Sequence, residues 1–301
     1  MLHRQLPVKR FQKVHIEISN ICNLQCSFCP EVIRNKKIMD VSVFENIIQQ
    51  VAPLTQLVCF HLMGDPLVHP HLSELIQICE KHQVKIFFVT NGVLIKDSNA
   101  DLLLSPAFYQ VNFSLHSFFD NFPGKDPTIY LNKIFQWTHL ALQQRPDLYI
   151  NYRLWNLQDV KGSATENIEM LHKIEEQFDW KMNDGVDVRR KKSWRIKNKL
   201  YLHFDTEFVW PDIHLPILGS SGTCYGLSSH FGILADGTVV PCCLDKEASI
   251  ALGNVHEQSV TDILNSARAV AMADGFRQNK LLENLCQRCQ YIERFQRKDV
   301  L

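Results

Sequence analysis

No stretch of this chain is long and apolar enough to span a bilayer, and the basic N-terminal residues Arg4, Lys9, Arg10 and Lys13 are not followed by the apolar run of an export signal. The expectation is a cytoplasmic protein with no membrane segment. Net charge is missing too: 32 Lys and Arg offset 32 Asp and Glu. That balance excludes a generic polyanion binder whose affinity comes from overall positive charge, and a nucleic-acid substrate would need a local patch instead. The composition of disorder is also lacking. With 46% hydrophobic and 21% charged residues, the 301 residues suffice for one large domain plus a small one. Ten cysteines without an export signal point to metal ligands and free thiols rather than disulfides.

One further absence is more informative. Cys22, Cys26 and Cys29 lie in a Cys-x3-Cys-x2-Cys run directly after the apolar phase of Val14, Ile16 and Ile18, and the loop has no fourth cysteine. Iron–sulfur clusters are usually held by four cysteines. Three imply a borrowed fourth ligand or one iron left open for a substrate or cofactor. A three-cysteine zinc site completed by a histidine is the competing reading.

Strand-like and helix-like patterns alternate along the chain. Candidate strands are 14–18, 57–62, 85–90, 110–115 and 148–155, with a sixth within 186–204. Ser42 with Glu45 and Ser163 with Glu166 read as capping boxes ahead of amphipathic helices, and Leu72, Leu75, Ile76 and Cys79 make a third apolar face. Repeated strand–helix units imply a parallel sheet with right-handed crossovers. A full eight-unit barrel takes about 250 residues, more than precede the Pro-, Gly- and Ser-rich stretch 211–222. The expected fold is therefore α/β: a partial (β/α)6 TIM-like barrel over 1–210, then a small α+β cysteine-rich domain over 211–301.

The cysteine spacing, with the aromatic Phe28 before the last cysteine, resembles the radical SAM superfamily. In that family a [4Fe-4S] cluster on the three cysteines leaves one iron that chelates S-adenosylmethionine. Active sites of such barrels gather where the strand-to-helix loops open, and the loops here fit. Met63-Gly64-Asp65-Pro66 looks like the family's Gly-Gly-Glu motif, with Met63 for the first glycine and Asp65 for the glutamate. Asn91, in Thr90-Asn91-Gly92, resembles a segment near the cofactor's ribose. Ser114 and Arg153 stand where a serine and a basic residue commonly bind the methionyl carboxylate and ribose. Each is also an ordinary turn or strand-end residue when taken singly, and their order behind the cysteine loop carries the resemblance. His61, His69 and His71 read as structural, and Cys59 and Cys79 as small hydrophobes.

Beyond residue 211 come Cys224, Cys242 and Cys286-Gln-Arg-Cys289, with Asp236-Gly237 as a hairpin signal that could bring Cys224 and Cys242 together. Four such thiols suit a tetrahedral zinc or a four-iron cluster equally. Their spacing resembles the twitch domain, the shortened form of the SPASM extension, which implies one auxiliary [4Fe-4S] cluster. The longer seven-cysteine pattern is absent, and Cys243 could replace Cys242 as ligand.

The resemblance runs from Val14 to Phe295. It implies an enzyme that cleaves S-adenosylmethionine reductively to a 5′-deoxyadenosyl radical and abstracts hydrogen from a substrate. A low-potential electron donor such as flavodoxin or ferredoxin would serve it, and the auxiliary cluster would accept the substrate's electron. The expected substrate is a small molecule of sugar, aminocyclitol or nucleotide type, because the short segment before Val14 leaves no room for a leader-binding domain. Peptide, protein or RNA modification is the alternative, and a zinc or iron–sulfur sensor the non-enzymatic one. The run 188–199, with seven basic residues and no acidic one, reads as a solvated loop or as a sign of a phosphorylated, nucleotide or RNA substrate. Trp194 and Trp210 could stack on a base or sugar, or pack.

Overall fold

The computed structural model describes residues 10–161, 165–183, 185–207 and 209–292. Its frame is one ten-stranded sheet. The first five strands are β1 (Lys13–Ile16), β2 (Leu57–Cys59), β3 (Lys85–Thr90), β4 (Phe108–Ser114) and β5 (Tyr149–Leu157). Then come β6 (Ser193–Lys197), β7 (Leu200–Thr206), β8 (His230–Ile233), β9 (Thr238–Val240) and β10 (Gly253–Asn254). The spatial order is β10-β9-β8-β1-β2-β3-β4-β5-β7-β6. Every pairing from β8 through β1 to β5 and β7 is parallel, and β6, β9 and β10 are antiparallel additions. The sheet is open, and β1–β5 with β7 form the expected partial (β/α)6 TIM-like barrel.

The crossovers contain α1 (Val41–Val51), α2 (Leu72–Lys81), α3 (Asp97–Ala100), α4 (Ser117–Asn121), α5 (Thr128–Gln144) and α6 (Thr165–Phe178). Two short helices, α7 (Val260–Leu264) and α8 (Ala267–Arg277), follow β10. Alternation along each strand sends one set of side chains to these helices. Val14, Ile16, Val58, Ile86, Phe88, Val111, Phe113, Ile150, Tyr152, Leu200, Leu202 and Phe204 are all buried in this core, against Phe44, Ile47, Leu75 and Ile134. The opposite phase faces the barrel interior and mixes polar side chains, Lys13 and His15 on β1, Asn112 on β4, Asn151 and Arg153 on β5 and His203 on β7, with Cys59 on β2, Phe87 and Val89 on β3 and Trp155 on β5.

Several local expectations need correction. Helix α1 begins at Val41 with Asp40 as its N-cap residue, so Ser42 caps nothing, and Glu45 instead pairs with Lys81 at 2.6 Å. Ser163 lies outside the described residues, as does the side chain of Glu166. The region 186–204 holds two antiparallel strands, because Asn198 takes a left-handed turn (φ 48°) that asparagine tolerates. The basic run thus spans a turn and the edge strand β6, with Arg195 and Lys197 in the strand. Trp194 packs edge-on against Phe204 at 5.3 Å, and Lys192 pairs with Asp205 at 2.9 Å. The hairpin at Asp236-Gly237 is present as β8–β9, with Gly237 at φ 86°. Strand β8 lies on β1 in parallel register, Lys13 opposite His230, so the chain beyond residue 222 continues the barrel sheet.

Candidate functional site

The cysteine loop emerges from the end of β1 and is gripped by backbone and side-chain donors. Cys22 and Cys29 are exposed and Cys26 is half-buried. Leu24 N–H donates to Cys22 Sγ at 3.4 Å, Asn91 Nδ2 to the same sulfur at 3.8 Å, and Asn121 Nδ2 to Cys26 Sγ at 3.1 Å. From α4, Asp120 accepts from Ser27 N–H (2.6 Å) and from Ser27 Oγ, while Asn121 Oδ1 accepts from Gln25 N–H at 2.9 Å. The Cys29 thiol donates to Cys26, which lowers the Cys26 pKa and raises that of Cys29. Burial pushes the Cys22 thiol up. N–H groups aimed at sulfur are the donors that stabilise thiolate and cluster sulfurs, so the three thiols fit an iron–sulfur cluster.

The loop after β2 approaches this loop closely through its backbone. Gly64 has φ 74°, and a Cβ there would lie 2.5 Å from Ser19 O and 2.7 Å from Ile21 O. Only glycine combines that conformation with that approach. Asp65 N–H donates to Ile21 O at 3.0 Å. The Asp65 carboxylate is buried, which raises its pKa. It accepts from Leu67 N–H (2.9 Å), Asn91 N–H (2.8 Å) and Thr90 Oγ1 (2.9 Å), joining the β2 and β3 loops. Asn91 in turn reaches Asn23 Oδ1 at 2.9 Å. Cys22, Cys26, Cys29, Gly64, Asp65 and Asn91 therefore converge at one end of the barrel.

Ser114 and Arg153 are register neighbours on β4 and β5. Phe28 packs on His116, ring centroids 4.7 Å apart, and His116 Nδ1 lies 3.1 Å from the Arg153 carbonyl. The Arg153 side chain is 9% exposed and stacks over Trp155 at 4.3 Å and Phe87 at 5.7 Å. Burial lowers its pKa to about 10. His69 and His71 are structural as expected: His69 Nε2 bonds to Met39 O and His71 to Glu74. His61 differs, because its ring faces His15 and Phe87.

A second thiol group forms from separate segments. Cys224 accepts from Gly226 N–H at 3.4 Å, Cys242 follows β9, and Cys289 N–H donates to Cys286 O at 3.3 Å. Burial raises the pKa of each, to about 11 for Cys289, and their proximity adds to it: Cys242 feels Cys243, Cys224 and Cys286, while Cys289 feels Cys224 and Cys243. A cluster of buried thiols that oppose one another's ionisation is suited to iron, whose charge compensates thiolate. Cys243 is half-buried beside this group and packs with Leu62, Leu234 and Val240. Among the described residues, no three His, Cys, Asp or Glu side chains stand close enough together to hold a single metal ion.

A profile of the radical SAM superfamily matches residues 16–145, and one of an iron–sulfur cluster-binding domain, SPASM, matches residues 224–290. The chain belongs to the radical SAM superfamily. It carries a radical SAM domain followed by a SPASM-type domain, and these domains imply a [4Fe-4S] cluster, S-adenosylmethionine and auxiliary iron–sulfur binding. The sensor reading is set aside. Among curated relatives, the GTP 3′,8-cyclase of Chlorobaculum tepidum is 29% identical over 106 residues, 34% of this chain and 32% of the relative. The S-adenosyl-L-methionine-dependent 2-deoxy-scyllo-inosamine dehydrogenase of Niallia circulans is 22% identical over 102 residues, 32% and 41% of the two chains. The chain thus spans about a third of the length of the curated relatives it matches. BtrN in complex with AdoMet and 2-DOIA superposes with a TM-score of 0.60 at 14% identity, covering 94% of both chains. Streptococcus suis SuiB bound to precursor peptide SuiA gives 0.60 at 17%, covering 96% and 74%. These likenesses show the fold.

Reading the sequence missed Asp120 and Asn121, which follow Ser114 closely, and the polar interior phase of the strands. The alternation of Lys13, His15 and Glu17 with Val14 and Ile16 was the available signal.

Proposed function

We propose that this radical SAM enzyme oxidises a small, polar molecule of sugar, aminocyclitol or nucleotide type and passes an electron to its auxiliary site. The observation that supports this reading is the set of polar side chains in the barrel interior, Asn112, Asn151, Arg153 and His203, which offer hydrogen-bonding partners to a hydroxyl-rich molecule. When bound, the cluster and S-adenosylmethionine supply a carbon-centred radical that removes hydrogen from an unactivated carbon. Cys22, Cys26 and Cys29 would hold that cluster. Gly64 lets the β2 loop approach the cysteine loop, Asp65 holds the β2 and β3 loops together, and Asn91 supports Cys22. Ser114 and Arg153 would receive the cofactor's carboxylate or ribose, and Phe28 would cover it from water. Cys224, Cys242, Cys286 and Cys289 would complete ligation of the auxiliary cluster. Full ligation leaves electron transfer, not substrate binding, as the role of that site. The proposed domain division stays at 210/211, the protein is placed in the cytoplasm, and flavodoxin or ferredoxin is the proposed electron donor.

Anaerobically reconstituted protein should hold about eight irons per chain and form 5′-deoxyadenosine with a reductant. Replacing Cys22, Cys26 and Cys29 by Ala should halve the iron and abolish that product. Persistent cleavage of S-adenosylmethionine by the triple variant would sink the assignment of these ligands. Peptide modification is the second reading, supported by the likeness to SuiB bound to its precursor peptide.

A further inference from the structure

The basic run 188–199 finds no role in the site described above, and the fold brings part of it onto a row of aromatic rings. Tyr109 of β4, Tyr149 of β5 and Tyr201 of β7 stand side by side near the N-terminal ends of their strands, with ring centroids 5.3 and 6.2 Å apart. Parallel register makes the row. Tyr149 pairs with Gln110, the residue after Tyr109, and Asn151, on the same face of β5 as Tyr149, pairs with Tyr201. Cations extend it. The Arg195 guanidinium carbon, on the edge strand β6, lies 5.8 Å from the centroid of Tyr201, its register partner, and Lys199 Nζ lies 4.4 Å from that of Tyr149. Lys197, the last residue of β6, is exposed.

Acids do not offset these charges. The chain carries none from Val188 to Phe204, and among the described residues the side chains of Arg195, Lys197 and Lys199 form no ion pair. Lys199 Nζ donates to the Asp147 carbonyl at 3.0 Å, while the Asp147 carboxylate is held by Arg145 at 2.8 Å. A protein without net charge thus has a local positive surface, which is what binding a polyanion requires of it. The row of rings is also open at one end. Tyr109 is 45% exposed and, among the described residues, has a single ring neighbour, Tyr149. None of the three tyrosine hydroxyls has a hydrogen-bond partner among the described residues.

We infer that this surface, built from Tyr109, Tyr149, Tyr201, Arg195, Lys197 and Lys199, binds single-stranded RNA. Cations alone would suit any chain of anions, an acidic peptide included. The rings decide between the two. A nucleobase has a planar face that continues the stack at Tyr109 while its phosphates meet the cations beside it, whereas an aspartate or glutamate side chain uses the cations and leaves the ring face bare. Aromatic side chains flanked by basic ones hold single strands with little regard to sequence. Ribose fits better than deoxyribose, because its 2′-hydroxyl both donates and accepts and so meets the unpartnered tyrosine hydroxyls. Such binding goes beyond the function proposed above and does not rest on it. The surface lies at the N-terminal ends of the strands, whereas the cysteine loop follows the C-terminal end of β1, so binding there is independent of which molecule is oxidised.

The test is fluorescence anisotropy of a labelled oligouridylate of about 12 nucleotides, a length within the span of single-strand sites, titrated with reconstituted holoprotein. Binding should be saturable. Three cations on phosphates give a log–log salt slope of about −2, so affinity should fall about 20-fold from about 50 to about 200 mM salt. Arg195→Gln combined with Lys199→Gln should weaken binding at least about tenfold at the lower salt and reduce the slope by about 1.4. Tyr109→Ala should weaken it at least about fivefold, the loss of one stacked base. Tyr109→Phe, which keeps the ring and guards against a variant that fails to fold, should bind more tightly than Tyr109→Ala. An oligodeoxyuridylate and a glutamate oligomer of similar length should each bind more weakly than the RNA. Absence of saturable RNA binding, affinity unchanged in the variants, or equal affinity for the DNA or the glutamate oligomer would overturn the proposal. Formation of 5′-deoxyadenosine is measured alongside and should persist in every variant. If the wild-type protein forms it without binding RNA, this inference alone fails, and if the protein binds RNA without forming it, the reading of the enzyme fails instead.

Discussion

Replacing Arg34 by Met should destabilise the protein by about 3–5 kcal/mol, the cost of leaving a buried charge without its partner. Glu17, the last polar residue of the β1 phase, has a side chain with 0% exposure, against 13% for Arg34. Both Glu17 oxygens accept from Arg34 Nη2, at 2.9 and 3.0 Å, and they also accept from Met63 N–H (3.2 Å) and Ala235 N–H (3.1 Å). One carboxylate thus joins the cysteine loop, the β2 loop and the β8–β9 turn. Burial already raises its pKa against the pull of Arg34. Without Arg34 it must stay charged at the cost above or take a proton. Protonating a group of ordinary pKa 4.5 at pH 7 costs about 3.4 kcal/mol at 1.36 kcal/mol per unit. Both routes give a similar loss, and at about 2 °C per kcal/mol for a chain of this size the melting midpoint should fall by about 6–10 °C. Glu17→Gln combined with Arg34→Met removes both charges and keeps an acceptor for one of the Met63 and Ala235 N–H groups, so it should melt above Arg34→Met alone. Calorimetry of the reconstituted protein at pH 7 reads both. A loss below about 1 °C in Arg34→Met, or a double variant no better than the single one, would refute the buried-pair reasoning.

Gly64→Ala forces a Cβ into the Ser19 and Ile21 carbonyls at a positive φ. A destabilisation of about 2–4 kcal/mol and weaker S-adenosylmethionine binding are expected, whereas wild-type affinity would show that the β2 loop does not position the cofactor. Cys286→Ala with Cys289→Ala should halve the iron and preserve slow, uncoupled 5′-deoxyadenosine formation while product formation stops. Full product yield from this variant would refute the electron-acceptor role, and substrate bound to an auxiliary iron by spectroscopy would refute full cysteine ligation.

By itself the sequence determined the family, the five strands through β5 with the helices after β1 and β2, and the two cysteine groups, but it named none of α3, α4 and α5. These are local signals: spacing within a loop, period-two alternation and turn residues. Alternation also reads the interior phase of the strands, yet it cannot say which of those residues meet, because parallel strands pair positions as near in sequence as Ile86 and Phe108 and as far as Lys13 and His230. Tertiary structure alone decided that β8 pairs with β1, so that segments beyond 222 extend the barrel sheet. It also decided that Asp65 joins two loops and that α4 reaches back to the cysteines. The short α4 has no amphipathic period to mark it, and Asp120 and Asn121 find their partners 93 and 96 residues away. The capping box at Ser42 failed for the opposite reason: its pattern is local, but Val41 already packs against the core, and the helix starts there. The approach of Lys13 and Arg153 to the Phe87 ring likewise exists only because the sheet brings β1, β3 and β5 to a common interior.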